Sequence, residues 1–334
     1  MTRFGLQIPD FRWEDASSGG LFPRTLALAE AAESSGFDTL WVMDHFHELP
    51  PFFDRTDPMP EGYTLLAGLA ARTKSIELGT LVTGVPYRNP ALLAKQVTTL
   101  DHISGGRAIL GVGVGRSPHE YEAFGASTSE RGARIEEALT ILRRVWTEEE
   151  VEHRGRFWTF PRLSLHPRPI QAPHPPIWVA GVASPAIERA ARLGDRWICD
   201  PVQTRPEVER LRDLYVDARV ALGEPPDWTL RRYVRLGDRE EIEARWLPGF
   251  VERNLAYWRE STEGPAEKRL FERLDAGEAL SPVDVAKGRF AWGSTEEVLS
   301  ELQDYARLGP TAVSYTHLRA HETNDLISDA GCGW

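Results

Sequence analysis

Short apolar runs of strand length alternate along the chain with longer stretches in which apolar residues recur every three or four positions. Residues 3–8 (RFGLQI) predict a first strand, ending at Pro9 and a Gly/Ser-rich loop that reaches Gly20. Residues 21–35 place Leu26, Ala29 and Ala32 on one helical face, and Gly36 stops them. Residues 37–43 form a second strand with Asp44-His45-Phe46-His47 at its C-terminal end, and a Pro-rich loop, 49–60, leads to an Ala/Leu helix over 63–72. The stretch 76–116 repeats the unit. Ile76 to Leu78 start a strand, Gly79, Thr80, Thr83 and Gly84 mark its solvent end, and Pro90 opens a helix carrying Ala91, Leu92, Leu93, Val97 and Leu100. Gly105 and Gly106 end that helix, and 107–114 is a fourth strand closed by Gly113, Gly115 and Arg116.

Residues 129–146 predict a helix capped by Ser129, with Ile135, Leu139, Leu142 and Trp146 as its buried stripe. The segment 151–173 breaks the pattern; its Gly, Arg, Trp and Phe alternation followed by prolines predicts a small β insertion around 150–175. Alternation then resumes with a strand at 177–180, helix 185–193, strand 197–199, helix 206–222 and strand 228–236. Residues 238–290 are charged and helical with Trp246, Phe250, Leu255 and Trp258 on the buried face, and Ser294-Thr295-Glu296-Glu297 caps a last helix. Residues 311–313 begin an eighth strand. Strands and helices in strict alternation predict an α/β fold of the (β/α)8 TIM-barrel type, whose active site lies at the C-terminal ends of the strands.

The C-terminal stretch VSYTHLRAHETNDLISDAGCGW shows neither strand nor helix periodicity, and its first part resembles the conceptual translation of a sequencing adapter. The expectation is therefore a barrel over 1–312, a non-native tail over 313–334, and a truncated eighth strand and last helix.

Composition narrows the function. A net charge of −11 argues against nucleic-acid or anionic-membrane partners, since phosphate backbones reward clustered Lys and Arg. No apolar run approaches the ~20 residues that span a bilayer. MTRFGLQIPD enters a strand at once, and two cysteines, Cys199 and Cys332, make no disulfide framework. A cytoplasmic protein acting on a small molecule is expected.

Few strand ends carry reactive groups. Asp44 and His45 make an acid–imidazole pair suited to proton transfer, or else a turn cap and a packing histidine. Leu81, Val82 and Thr83 would present backbone to a flat heteroaromatic ring. Gly111, Gly113 and Gly115 lack the spacing of a dinucleotide loop, and alternate glycines in a strand allow close packing or close ligand approach. Arg116 and His119 would meet an anion or lie on the surface. In Ala180-Gly181-Val182-Ala183-Ser184-Pro185 a strand runs into a helix start with Ser184 as cap, either an anion cradle or an ordinary βα turn. Cys199 reads as a small buried hydrophobe, and Trp41 and Trp178 as pocket walls.

Taken together, FGLQIP, GFDTLWVMDHF, the block from EGYTLLAG to GVGVG, and GVASPAIERAARLGDRW resemble the luciferase-like monooxygenase superfamily, and most of all its branch that uses coenzyme F420, a deazaflavin. The resemblance implies an α/β barrel, a homodimer, and hydride transfer or flavin-mediated oxygenation at the strand ends. It implies catalytic roles for His45 and Asp44, with Asp44 also near the ring. It places a backbone bulge, often a cis peptide, at Leu81–Val82 against the ring, with Thr83, Gly115 and Arg116 nearby. Val179, Ala180, Gly181, Val182, Ala183 and Ser184 match the loop around the cofactor phosphate. Arg116 departs from the pattern, standing where the sugar-phosphate dehydrogenases of the family carry an acidic proton donor, which argues against glucose 6-phosphate as substrate.

The preferred reading is an F420-dependent oxidoreductase in which Asp44 orients His45, and the alternative is an FMN-dependent monooxygenase. Two readings from other classes stand beside them. His45-Phe46-His47 has a metal-hydrolase form, but the later strand ends offer only Asp200 as a further ligand. A non-catalytic flavin-binding barrel is the other.

Overall fold

The computed structural model describes residues 2–13, 15–260 and 264–317. Eight parallel strands close into a ring: β1 (Arg3–Gln7), β2 (Thr39–Val42), β3 (Glu77–Thr80), β4 (Ala108–Gly113), β5 (Ile177–Ala180), β6 (Arg196–Cys199), β7 (Trp228–Leu236) and β8 (Ala312–His317). Each strand pairs with the next, and β8 pairs in parallel with both β7 and β1, Thr229 and Arg3 each opposite Ala312.

That closure corrects the expected truncation of the eighth strand. Residues 313–316 do alternate: Val313 packs outward in the main core and Tyr315 stacks on Phe4, while Ser314 and Thr316 are buried polar positions on the opposite face. Val, Tyr and Thr suit a pleated strand, and ladder hydrogen bonds come from backbone, so pairing asks little of the side chains. The expected truncation of the helix that would follow the eighth strand, and the tail beyond residue 317, fall outside the described residues.

Two apolar layers hold the ring. Outward-facing Leu40, Leu78, Leu110, Val179, Trp197 and Leu230 pack beneath the helices. Trp41, Leu81, Ile109, Trp178, Ile198 and Ala312 fill the barrel interior, with the two indoles 5.0 Å apart. Trp41 and Trp178 thus form the packed interior beneath the site, each contributing roughly 1.5–3 kcal/mol as a fully buried large side chain. Cys199 is fully buried, and that burial pushes its thiol up to about 12.

The insertion is an antiparallel hairpin, Val151–Arg154 with Thr159–Leu163. The segment after β7 builds a separate cluster in which Phe250 and Trp258 are buried and Trp246 and Leu255 pack against them. Two details depart from the sequence reading. Phe290–Gly293 is a strand, pairing with the outer half of β7, which outlasts its barrel neighbours. The helix expected to be capped by Ser129 runs over Arg131–Thr147 behind a 3-10 turn, Thr128–Glu130, whose cap is Ser127. By contrast, Ser294 and Glu297 make both reciprocal bonds of a capping box.

Candidate active site

The C-terminal ends of β2 and β3 and the segment after β4 meet at one mouth. Asp44 follows β2, almost fully buried, and its Oδ1 accepts from Arg88, which comes from the turn after β3. Asp44 Oδ2 is buried without a hydrogen-bond partner among the described residues. Burial pushes the Asp44 carboxyl up to about 6 against the pull of the Arg88 guanidinium.

His45 is oriented by a different acid than expected. Its Nδ1 lies 3.1 Å from both carboxylate oxygens of Glu120, and the Phe46 amide donates to Glu120 Oε1 at 2.8 Å. Glu120 is carried by the short helix Pro118–Ala123 beyond β4, with its side chain 1% exposed against 21% for His45. Burial pushes this carboxyl up, but the hydrogen bond and charge of His45 and the Phe46 amide outweigh it and hold it below the usual glutamate range. A carboxylate only accepts, so His45 Nδ1 donates to it and Nε2 is left for chemistry. The expectation that Asp44 orients His45 is corrected: Asp44 is taken by Arg88.

At the end of β3 the Leu81–Val82 peptide bond is cis, as the resemblance implied. Gln7, at the end of β1, donates from Nε2 to the Leu81 carbonyl at 3.3 Å. Val82 and Ala180 pack on the interior cluster. The glycines of β4 make room for this wall. A Cβ on Gly111 would sit 2.1 Å from the Thr80 carbonyl, and one on Gly113 would sit 2.6 Å from Val82 Cγ2. Thr83 is fully buried, its hydroxyl 2.5 Å from Thr80 and 2.7 Å from the Tyr63 hydroxyl, so its side chain is committed behind the wall.

Gly115 has φ +75° against Tyr87 and Tyr121. Arg116 turns inward over the Tyr257 ring, 5.1 Å to the centroid, and its Nη2 is 3.4 Å from the buried Glu267 carboxylate. Glu267 also accepts from Gln203, and burial and the charge of Asp200 raise its carboxyl above the ordinary value. At the end of β5, Val179 points into the outer core and Ala180 inward, and just beyond it the Gly181 carbonyl accepts from Trp197 Nε1 at 2.8 Å. Ala183, not Ser184, is the helix cap: Ser184 opens the helix with Pro185 behind it, and no side-chain cap bond forms. The Ala186 amide bonds to the Ala183 carbonyl, so this helix start offers fewer unbonded amides than its sequence suggests.

A cavity of about 500 Å³ stands over the mouth, lined by His47, Leu49, Pro50, Arg55, Ser117, Pro118, His119 and Tyr257; its size suits a small ligand. Among the described residues no group of three or more His, Cys, Asp or Glu suits a metal ion, and no helix is long and apolar enough to cross a membrane.

Sequence reasoning missed Gln7, Arg88, Glu120 and Glu267. For Gln7 the available signal was a polar residue inside an apolar strand; the others come from distant segments whose spacing carries none.

The chain matches the luciferase-like monooxygenase family over residues 2–312. An F420-dependent glucose-6-phosphate dehydrogenase of Kineococcus radiotolerans is 35% identical over 325 residues, covering 92% of this chain and 89% of the relative. The oxygenase component of a flavin-dependent trigonelline monooxygenase of Acinetobacter baylyi is 28% identical over 306 residues, covering 88% of this chain and 83% of the relative. Among solved structures, a monooxygenase from Streptomyces bottropensis superposes with a TM-score of 0.77 at 28% identity, covering 98% of this chain and 97% of the other.

Proposed function

The chain belongs to the luciferase-like monooxygenase family and is an oxidoreductase, and on that premise we propose that it uses coenzyme F420 to carry hydride to or from a small organic substrate. The observation that carries this reading is His45, held by the buried Glu120 at the rim of an apolar wall made by Leu81, Val82 and Ala180. The residues present fit a flat deazaflavin ring. Val82 and Ala180 supply apolar surface, and Asp44 Oδ2 is a buried acceptor awaiting a donor.

When bound, the deazaflavin supplies or accepts hydride at its C5. The chain's own task is the proton. Glu120 fixes the His45 ring through Nδ1, so Nε2 gives a proton to a substrate oxygen on reduction and takes one on oxidation. Arg88 holds Asp44 in place and balances its charge. The loop carrying Leu49 and Pro50, with Tyr257, narrows the mouth and limits water. Arg116, standing where the sugar-phosphate dehydrogenases carry an acid, keeps glucose 6-phosphate outside this proposal. The family resemblance extends the reading to a homodimer, which light scattering of the purified protein tests.

A second reading, an FMN-dependent monooxygenase, is favoured by the similarity to the trigonelline monooxygenase component. Spectroscopic titration with F420 and with FMN separates the two. Tighter binding of F420 is expected; micromolar affinity for FMN with no deazaflavin binding would overturn the first reading.

A further inference from the structure

β7 alternates, and its alternation puts a cation inside the barrel. Leu230 faces the outer core, and Arg232 lies buried over the Tyr305 ring, 4.2 Å to the centroid, donating to the Pro201 carbonyl. Arg231, between them, therefore points inward, where its Nη2 donates to Gln7 Oε1 at 2.6 Å and its Nε to Thr316 Oγ1 at 3.4 Å. Gln7 is 1% exposed, and its Nε2 is already spent on the Leu81 carbonyl and on Met43 Sδ, so its Oε1 is fixed toward Arg231. Thr316 lies in the C-terminal stretch that resembles adapter translation, whereas Gln7 belongs to β1.

Both acceptors are neutral, the Tyr233 ring lies 5.5 Å from the guanidinium to its centroid, and among the described residues no carboxylate pairs with Arg231. The other cations at the mouth are matched: Arg88 by Asp44, Arg116 by Glu267. An interior guanidinium without a counter-charge is strongly disfavoured, whereas one that opens toward a pocket receives its counter-charge with the ligand. Arg231 is only half-buried, so part of it stays accessible to solvent. The cavity above carries His47, Arg55 and His119 and no Asp or Glu in its lining, on a chain whose net charge is −11. Among these lining residues Arg55 is the one formally charged side chain, and a cation at the entrance of an acidic protein favours anions there.

We propose that the substrate is an organic acid whose carboxylate seats on Arg231, a planar fork that accepts a carboxylate in two parallel bonds. Gln7 positions the guanidinium from β1, and the substrate extends from the β7 side toward His45 on the β2 side. The proposal rests on the reading of this mouth as the substrate site of a deazaflavin oxidoreductase.

The test is calorimetric titration of the full chain, with and without F420, using benzoate and hexanoate as probes and benzamide and hexanamide as neutral isosteres. Either carboxylate is expected to bind at least tenfold tighter than its amide. Arg231→Met should remove that preference, and Arg231→Lys should restore part of it through a point charge. F420 affinity, followed by absorbance on the same samples, should change by less than threefold in Arg231→Met. Equal binding of acid and amide by the unaltered protein, or full carboxylate preference in a folded Arg231→Met, would overturn the proposal. Should Arg231→Met fail to fold, the acid–amide comparison on the unaltered protein decides alone. Carboxylate preference without any F420 binding would sink the cofactor reading while leaving the Arg231 site standing.

Discussion

The two sides of the barrel mouth solve opposite electrostatic problems. On the side built by the ends of β2 and β4, polar groups are partnered within the chain: Asp44 pairs with Arg88, and His45 hydrogen-bonds Glu120. On the β1–β7 side, Arg231 has no carboxylate partner among the described residues: a neutral amide, a hydroxyl and the Tyr233 ring surround its guanidinium. The matched side is set for proton transfer before any ligand arrives, while the other is completed by what binds. The same contrast runs between two buried glutamates. Glu120 has both oxygens bonded and stays below its usual range. Glu48 is fully buried with neither oxygen in a regular hydrogen bond among the described residues, and burial with the nearby Asp10 charge pushes it up to about 8. Bonding partners, rather than depth alone, set the charge of an interior acid.

The largest effect expected from breaking the matched side is kinetic. His45→Ala should slow reduction of bound F420 in stopped flow by about 10²–10⁴-fold, the range of a lost general acid–base. Glu120→Gln should fall in the same direction by less, whereas a loss confined to Asp44→Asn would return the orienting role to Asp44. Next is stability. Arg88→Met strands the Asp44 charge and should cost about 3–5 kcal/mol at pH 8 in urea unfolding. That cost shrinks as pH falls, because Asp44 can then take up a proton.

Glu48 supplies a pH signature of its own. Its folded value of about 8 lies above the ordinary 4.5, so its contribution to stability is complete below pH 4.5 and lost as pH rises toward 8. At roughly 1.4 kcal/mol per pH unit, Glu48→Gln should therefore be more stable than the unaltered chain by about 3 kcal/mol at pH 7, and no more stable at pH 4. Equal unfolding midpoints at both pH values would contradict this. The smallest effect belongs to the wall. Gly113→Ala pushes on Val82 and should cost about 1–3 kcal/mol by overpacking, together with weaker F420 binding in the spectroscopic titration.

Much of the barrel was legible because strand runs and helical stripes are local signals. The capping box at Ser294 was equally local, and both of its bonds form. Phe290–Gly293 was not legible, since four apolar residues beside a helical segment become a strand only because β7 projects far enough to pair with them. Asp44 and His45 were readable as a strand end, but their partners were not. Glu120 lies 75 residues from His45 and reaches it only through the turn after β4. At Arg231-Arg232 the sequence shows two adjacent cations on a strand without saying which faces the interior; ring closure around β7 settles it.

Which acid holds His45 decides how the site moves its proton, and nitrogen NMR of histidine-labelled protein reads that contact directly. The expected result is His45 with its proton on Nδ1, in a signal that shifts strongly in Glu120→Gln and little in Asp44→Asn. A His45 signal that ignores Glu120→Gln and follows Asp44→Asn would contradict it.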